Sequence, residues 1–320
     1  MTFMKTLALA LYAVLLVGAS SARAEWPEDR PITIVHPFAA GSDALMRMTA
    51  AGLEQSLGQT VIFDNRPGAG GAIGTAYAAR QAPDGYTLAT AYPGPTANFI
   101  NTRNSLPYDP QKDFTYISRI SYGNIVLAVR KDFPADTLPE LIAYMKEHPG
   151  EVSAGNNGVG SYGHMITLAL RDMQDLDFKT VPYNGSNAIA TDMLSGNLDM
   201  TVDYLGDVYM KQLQAGTLKP IAIASEARSP LLPNTPTFQE SGVDIVSAPW
   251  GGLMAPAGTP DAVIEKISAA LKSYLSEPET ISKFAAIGQV AAWTTPQEFH
   301  DMVIGEEEFW RPIIKKYNIK

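Results

Sequence analysis

The spacing of apolar residues differs from segment to segment along the chain. These differences predict short strands that alternate with amphipathic helices. Residues Ile32–His36 form a compact apolar run, whereas residues 45–57 place apolar side chains three and four positions apart. Short apolar runs are typical of strands, and the wider spacing is typical of helices. Further strands are predicted at 60–63, 86–91, 125–130, 152–154, 200–204 and 220–224, and further helices at 71–81, 138–147, 165–173, 188–195, 262–275 and 296–310. This alternation predicts an α/β fold.

Two largely apolar segments, residues 118–129 and 248–255, are rich in small residues and lack helical spacing. No low-complexity linker and no repeat of fixed period divides the chain. Two domains would therefore be interwoven, with the chain crossing between them at these two segments. We predict one lobe from residues 25–124 and 249–320, and a second, inserted lobe from residues 125–248.

The N-terminus has the pattern of a secretory signal peptide, predicted at residues 1–24. Lys5 precedes an apolar run at residues 7–17, and Ala22 and Ala24 supply the small residues of a cleavage site. The alternative is a transmembrane anchor, but crossing the hydrocarbon layer needs about 20 apolar residues, and this run is shorter. The sequence contains no cysteine, which excludes disulfides and a lipidated cysteine. We therefore expect a periplasmic protein that depends on its hydrophobic core alone.

The charge of the chain excludes some classes of partner. Removing Lys5 and Arg23 with the signal peptide leaves 22 basic residues against 33 acidic ones, a net charge near −11. An acidic protein of this kind is repelled by nucleic acid and by anionic membrane surfaces, so we predict neither as a partner. A small anionic ligand remains compatible, because its binding depends on local dipoles rather than on net charge.

Four loops share one design, in which small residues lie between the end of a strand and the start of a helix. They are residues 37–43, 92–96, 158–164 and 183–186. Small residues let a ligand approach the backbone, and a helix N-terminus presents unpaired N–H groups with a partial positive charge. In open α/β sheets the binding crevice lies at this end of the strands. None of the four loops contains Lys or Arg, so we expect peptide dipoles and hydroxyls to meet the charge of an anion.

The loops supply most of the candidate ligand-binding residues, and ordinary helix capping by a serine or aspartate is the alternative for any single loop. The convergence of four such loops favours a shared cleft. The candidates are Phe38, Ala39, Ala40, Gly41, Ser42, Asp43, Tyr92, Gly94, Thr96, Gly160, Ser161, His164, Tyr183, Gly185 and Ser186.

No enzyme motif fits the sequence. Around Ser161, the G-x-S-x-G elbow would need a glycine at position 159, where the chain has valine. The glycine-rich run from Gly68 resembles a dinucleotide loop, but the last glycine of G-x-G-x-x-G would fall on Ile73. The four histidines lie far apart without metal-binding spacing. We therefore predict no catalytic residue, no metal and no cofactor, and we interpret the glycine-rich run as a turn that caps a helix.

Several motifs are similar to those of the extracytoplasmic solute receptors of the tripartite tricarboxylate transporter family. Residues 64–74, DNRPGAGGAIG, resemble the strongest motif of that family, and residues 82–88, APDGYTL, resemble its continuation. Further similarity is found at residues 106–114, 160–164, 181–186 and 255–260. Together these segments are spread in order over essentially the whole mature chain.

The resemblance implies a two-lobed periplasmic-binding-protein fold of the Venus-flytrap, type II class with interwoven domains. It also implies an organic carboxylate as ligand, contacts that extend to Asp203 and Tyr204, and membrane permease subunits as partners. Asp203 would repel a carboxylate, so we favour its interpretation as an acceptor that orients N–H groups. The first loop has a single glycine where the family usually has Pro-Pro-Gly-Gly, and Tyr204 stands where the family often has asparagine. The identity of the ligand therefore does not carry over from a relative.

We accordingly predict a monomeric, non-catalytic receptor that captures a small organic acid between two lobes and delivers it to a tripartite tricarboxylate-type transporter. A periplasmic sensor that passes its loaded state to a signalling partner is the second hypothesis. An exported enzyme on the same fold is the third.

Overall fold

The computed structural model describes residues 26–39, 43–103, 105–183 and 185–319. The signal peptide predicted at residues 1–24 lies outside these ranges. Within them the chain forms two mixed β-sheets flanked by helices. We call the first sheet with its helices the first lobe, and the second sheet with its helices the second lobe.

Two sets of strands make up the sheets. The strands are β1 (Ile32–His36), β2 (Val61–Asn65), β3 (Thr87–Ala91), β4 (Phe114–Gly123), β5 (Ile125–Arg130), β6 (Ser153–Asn156), β7 (Lys179–Pro182), β8 (Met200–Tyr204), β9 (Leu218–Ile223), β10 (Trp250–Pro256) and β11 (Gln289–Ala291). The first sheet has the order β11-β4-β10-β3-β1-β2, with β1 parallel to both β2 and β3. The second has the order β7-β6-β8-β5-β9, with β6 parallel to both β7 and β8. Parallel strands end at the same edge of a sheet, which places the predicted loops of each lobe together.

Helices cover the sheets and begin with recognisable caps. They are α1 (Ala44–Leu57), α2 (Ala72–Ala79), α3 (Phe99–Thr102), α4 (Leu138–Glu147), α5 (Tyr162–Gln174), α6 (Ser186–Leu194), α7 (Asp207–Gln214), α8 (Asp261–Leu275), α9 (Pro278–Ala286) and α10 (Pro296–Tyr317). Thr137 before α4 and Thr295 before α10 each form a capping box with a glutamate three residues later, which satisfies backbone donors at the helix start. Among the described residues, no helix combines the length and the apolar character that crossing a bilayer would require.

Each lobe has its own hydrophobic core, and within the described residues the chain passes between the lobes three times. It leaves the first sheet at Asn124, between β4 and β5, and returns through residues 246–249 to β10. Helix α10 is the third connection. Its N-terminal part packs Phe299 into the core of the first lobe, whereas Trp310 is buried in the core of the second.

The fourteen predicted strands and helices are all present, with ends displaced by at most three residues except at the end of the last helix. Strands β1, β5 and β8 and helix α4 agree with the prediction at both ends. The last helix continues beyond residue 310 to Tyr317, because buried Ile313 and Ile314 hold its end despite Pro312. Elements α3, β7, α7, α9 and β11 are absent from the prediction, since short elements carry little apolar pattern. The interior strands β4 and β10 are absent from it too: most of the predicted crossing segments 118–129 and 248–255 lies in strands β4, β5 and β10, and the chain passes between the sheets at Asn124 and at residues 246–249.

Candidate functional site

Two cavities lie between the lobes at the ends of the parallel strands. The cleft cavity, of about 360 Å³, is lined by Ala44, Leu45, Tyr92, Pro93, Gly94, Tyr162, Tyr204, Pro249, Trp250, Gly251, Ile287 and Gln289. The side cavity, of about 350 Å³, is lined by Gly94, Asn98, Phe99, Thr102, Arg103, Val159, Gly160, Ser161, Tyr162, Met165 and Ile319. Gly94 from the first lobe and Tyr162 from the second line both cavities. The two spaces therefore adjoin.

The first predicted loop is only partly described, because Ala40, Gly41 and Ser42 lie outside the described residues. Asp43 is buried and accepts hydrogen bonds from Arg47 Nε at 2.9 Å and from Asn65 Nδ2 at 3.1 Å. Asn65 Nδ2 also reaches the carbonyl oxygen of Phe38 at 3.1 Å. Asp43 thus braces the loop, while Ala39 is exposed.

The glycine-rich motif supports this loop from behind. A Cβ atom on Gly74 would lie 2.6 Å from the carbonyl oxygen of Arg66 and 2.8 Å from Pro37 Cα, both closer than real Cβ contacts allow. The N–H of Arg66 donates to the carbonyl oxygen of His36 at 2.8 Å. The motif therefore lets α2 pack closely against the first loop. Through the Asn65 amide and Gly74, the glycine-rich motif positions the first loop of the site.

His36 is fully buried beneath the cleft at the end of β1. Its Nδ1 lies 3.1 Å from Thr90 Oγ1, and its ring packs edge-on against Phe38 and Tyr92 with centroid distances of 5.5 and 5.6 Å. Burial lowers the pKa of His36 to about 4, because the protonated ring would lose its hydration. The residue is a neutral packing element under Phe38 and Tyr92.

The buried His36 predicts a loss of stability as the pH falls from about 6.5 to about 4. In that range the unfolded chain takes up a proton that the folded ring excludes, which costs up to about 3 kcal/mol of unfolding free energy. Urea unfolding of the protein and of the His36→Asn variant at several pH values would measure this, with exposed His148→Asn as the control. Equal pH slopes in the protein and in His36→Asn would contradict the prediction.

The second loop presents two of its three candidates to the cavities. Tyr92 and Gly94 line the cleft cavity. Thr96 is buried instead, and its hydroxyl donates to the carbonyl oxygen of Tyr92, closing the turn. Thr96 therefore shapes the turn from which Tyr92 and Gly94 project.

The third loop caps helix α5 at the side cavity. Ser161 Oγ accepts from the N–H of His164 at 3.2 Å, and His164 Nδ1 accepts from the N–H of Gly160 at 3.2 Å. Burial lowers the pKa of His164, so its ring stays neutral with the proton on Nε2. Gly160 and Ser161 line the side cavity while making these bonds. Capping and cavity lining thus occur in the same loop.

The fourth loop lies beside the cavities rather than in them. Tyr183 donates its hydroxyl to Asp192 at 2.7 Å, on the following helix α6. Ser186 Oγ donates to Asp203 Oδ2 at 2.6 Å. None of the described residues of this loop lines the cleft cavity or the side cavity; these residues are Tyr183, Gly185 and Ser186.

Asp203 is buried at the end of β8 and accepts hydrogen bonds from the loop after β6, the start of α6, the next residue of its own strand and helix α7. Each of its oxygens accepts two bonds: Oδ1 from Asn157 Nδ2 at 2.6 Å and the N–H of Tyr204 at 2.7 Å, Oδ2 from the hydroxyls of Ser186 at 2.6 Å and Tyr209 at 2.8 Å. Asp203 holds the second-lobe loops together. Tyr204, the next residue, is 46% exposed and lines the cleft cavity.

A contact between the lobes involves Glu306, a residue that the sequence did not single out. Its carboxylate accepts from Tyr162 OH at 2.7 Å and from Trp250 Nε1. Burial raises the pKa of this carboxyl. Tyr162 belongs to the second lobe and Trp250 to β10 of the first, so Glu306 joins both walls of the cleft. The helical pattern of α10 predicts where Glu306 lies on the helix but not which partners it meets.

Metal ligation has no support in the described part of the chain, where no group of three or more His, Cys, Asp or Glu side chains could hold an ion. The cleft cavity is instead walled by three tyrosines and by small residues. Such a wall offers hydroxyls, peptide groups and aromatic faces to a small ligand.

Residues 45–319 match the tripartite tricarboxylate transporter family receptor model. The chain belongs to this family. A TctC solute-binding protein from Polaromonas is 28% identical and superposes with a TM-score of 0.84, covering 91% of this chain and 100% of that one. R. palustris Rpa4515, solved with adipate, is 32% identical with a TM-score of 0.69 over 92% and 99% of the chains. MatC from Rhodopseudomonas palustris, solved with bound malate, is 28% identical with a TM-score of 0.64 over 90% and 99%.

Family membership confirms the predicted fold class, a two-lobed periplasmic-binding-protein architecture. The chain is of the solute-binding receptor type. Two solved relatives, Rpa4515 and MatC, contain the organic acids adipate and malate. The family is a receptor family rather than an enzyme family.

Proposed function

We propose that the chain is a monomeric periplasmic receptor that captures a small organic carboxylate between its lobes, without catalysis, and delivers it to a permease of the tripartite tricarboxylate type. The observation that carries this proposal is the meeting of loops from both lobes on one cavity, where Tyr92 and Gly94 face Tyr204. A volume of about 360 Å³ is in the range of small-molecule sites. The adipate- and malate-bound relatives support a carboxylate.

In this proposal helix N-termini bind the ligand's negative charge. Ala44 and Leu45, in the first turn of α1, line the cleft cavity, and Ser161 and Tyr162, at the start of α5, line the side cavity. The first N–H groups of a helix lack intrahelical partners and carry a partial positive charge. The two helices come from different lobes, so a ligand between them would be held from both sides.

Capture then proceeds by closure of the predicted lobes, residues 25–124 with 249–320 and residues 125–248. The hinge would consist of Asn124 and residues 246–249, where the chain passes between the sheets. Helix α10 packs on both cores, so the rotation must take place about this helix. Closure brings Tyr204 over the ligand and completes the surface that the permease recognises.

The direct test is native mass spectrometry of the protein purified from its periplasm, followed by identification of the released molecule. We expect a di- or monocarboxylic acid of a size that the cleft cavity admits. Chemical conversion of that acid by the purified protein, or co-purification of a cation alone, would refute the proposal.

Replacing Tyr204 with alanine is expected to weaken binding of the identified acid at least about tenfold, because Tyr204 lines the cleft cavity and its ring would close over the ligand. Stability should change little, since the ring is 46% exposed. Isothermal titration calorimetry measures the affinity. Ile62→Ala, at a similarly exposed position on β2, is the control and should bind normally. Normal affinity in Tyr204→Ala would place the ligand elsewhere.

A further inference from the structure

Arg103 is the one charged side chain among the described residues that lines either the cleft cavity or the side cavity. It directly follows α3 and also lines a further space of about 330 Å³ between α3 and the end of α10, which we call the outer cavity. Its side chain forms one hydrogen bond within the described chain, to a carbonyl oxygen, so its charge has no acidic partner there. The sequence did not single out this residue, because it lies outside the four predicted loops.

The guanidinium of Arg103 is held in place by the glycine-rich motif and by Phe99. Its Nη2 donates to the carbonyl oxygen of Ala69 at 2.9 Å, and its Cζ lies 3.6 Å from the centre of the Phe99 ring. Ala69 has a φ of 47°, a conformation that is costly for a residue with a Cβ atom and persists where the surroundings demand it. A Cβ atom on Gly70 would lie 3.0 Å from both Arg103 Nη2 and Phe99 Cζ. The motif and Phe99 thus fix one edge and one face of the guanidinium.

The other edge of the guanidinium is available to a ligand. Nε and Nη1 of Arg103 form no hydrogen bond with the described chain, and the side chain is only half-buried. A guanidinium presents its N–H groups as a planar fork that matches a carboxylate. Ser161 and Tyr162 line the same cavity at the start of α5, where the helix end carries a partial positive charge. A cation of the first lobe and a helix end of the second therefore meet at the side cavity.

Acidic side chains do not cancel this charge. In the described part of the chain, none lines the side cavity. Glu307 on α10 does contact α3, where Asn101 Nδ2 donates to its Oε1 at 2.7 Å. Arg311 forms two hydrogen bonds with the same carboxylate, one to each oxygen. The charge of Glu307 is thus offset by Arg311, and that of Arg103 remains available.

The other walls of the side cavity suit a carbon chain. Phe99, Val159 and Met165 supply apolar surface. Gly94 and Tyr162 belong to the side cavity and to the cleft cavity alike, so a ligand that extends from one space into the other passes these two residues. A molecule with a charge at each end and an apolar middle matches this arrangement.

We propose that Arg103 is a specificity-determining residue, which binds a second anionic group of the ligand in the side cavity while the first carboxylate is bound at the start of α1. The selection rests on the proposed function, which supplies the site for the first carboxylate. Acids with an anionic group at each end are then preferred over acids of the same length with one.

Isothermal titration calorimetry with succinate, glutarate, adipate and pimelate, each compared with the monocarboxylate of equal chain length, tests the role of Arg103. We expect the tightest-binding dicarboxylate to exceed its monocarboxylate at least about tenfold in affinity. Arg103→Gln should remove most of this difference and leave the monocarboxylate within about twofold, which also shows that the variant is folded. An equal loss for both acids in Arg103→Gln, tighter binding of the monocarboxylates, or no binding of the series at about 10 mM would overturn the proposal.

Lys315→Gln is the matched control for Arg103→Gln. Lys315 is exposed and lines the outer cavity together with Arg103, but it does not line the side cavity. Its replacement removes the same charge nearby, so dicarboxylate affinity should be unchanged if Arg103 acts by contact. An equal loss in both variants would show that only the general field of the protein matters, and the role of Arg103 would be refuted.

The molecule that co-purifies with the protein distinguishes failure of this role from failure of the proposed function. An acid with two anionic groups is expected. An acid with a single anionic group would leave the receptor function intact and refute the role of Arg103. The absence of any organic acid would count against the receptor function itself.

Discussion

Replacing Asp203 with alanine is expected to abolish ligand binding and to lower the free energy of unfolding by about 3–5 kcal/mol. The carboxylate is 3% exposed and accepts four hydrogen bonds from Asn157, Ser186, Tyr204 and Tyr209. Without it, four donors lose their acceptor in a buried place, where an unpaired polar group is costly. The N–H of Tyr204 also loses the hydrogen bond that fixes its position, and Tyr204 lines the cleft cavity.

Two further substitutions distinguish the effect of losing the hydrogen bonds to Asp203 from the general effect of removing an aspartate. Asp192→Ala in the same lobe removes the acceptor of one bond, from Tyr183, and should cost about 1 kcal/mol while binding is retained. Asp203→Asn should be milder than Asp203→Ala, because its amide oxygen still accepts and the hydroxyls of Ser186 and Tyr209 can turn to accept from its NH₂. Calorimetry and urea unfolding measure both effects. Unaltered affinity in Asp203→Ala would show that the second-lobe loops do not need this acceptor.

Replacing Gly163 with alanine is expected to be the most destabilising single methyl addition in the second lobe, by about 3 kcal/mol or more. The new Cβ atom would lie 1.9 Å from the carbonyl oxygen of Val202. The obstruction is backbone of β8, not a side chain that could rotate away. Helix α5 would have to move off the sheet, carrying Tyr162 out of the cleft.

The matched control for Gly163→Ala is Gly305→Ala, on helix α10. A Cβ atom there meets nothing within 4 Å, so this substitution should stabilise the protein by up to about 1 kcal/mol through the better helix propensity of alanine. Urea midpoints and circular dichroism compare the two variants. A Gly163→Ala protein with the midpoint of the unmodified chain would mean that α5 and β8 are not packed as closely as described.

Much of the fold follows from local patterns. The apolar runs at β1, β5 and β8 and the threonine–glutamate capping boxes of α4 and α10 are visible in the sequence, because strand burial and helix capping depend on neighbouring residues. Edge elements such as β7 were not predicted. The residues of β7 are exposed or half-buried and show no alternation of apolar and polar side chains. Of the residues that the sequence predicts to bind the ligand, Tyr92, Gly94, Gly160, Ser161 and Tyr204 line the cavities, whereas Tyr183 bonds to Asp192.

The sequence by itself determined the α/β alternation, the strand-to-helix loops and the family, because each of these depends on residues that are close together in the chain. Only the tertiary structure decided which loops reach the cleft. It alone gave Asp203 its four donors and brought Glu306 to Tyr162, 144 residues away. The physical reason is that hydrogen-bond partners and cavity walls depend on how two sheets and α10 pack, and contacts between residues so far apart leave no periodic trace in the sequence.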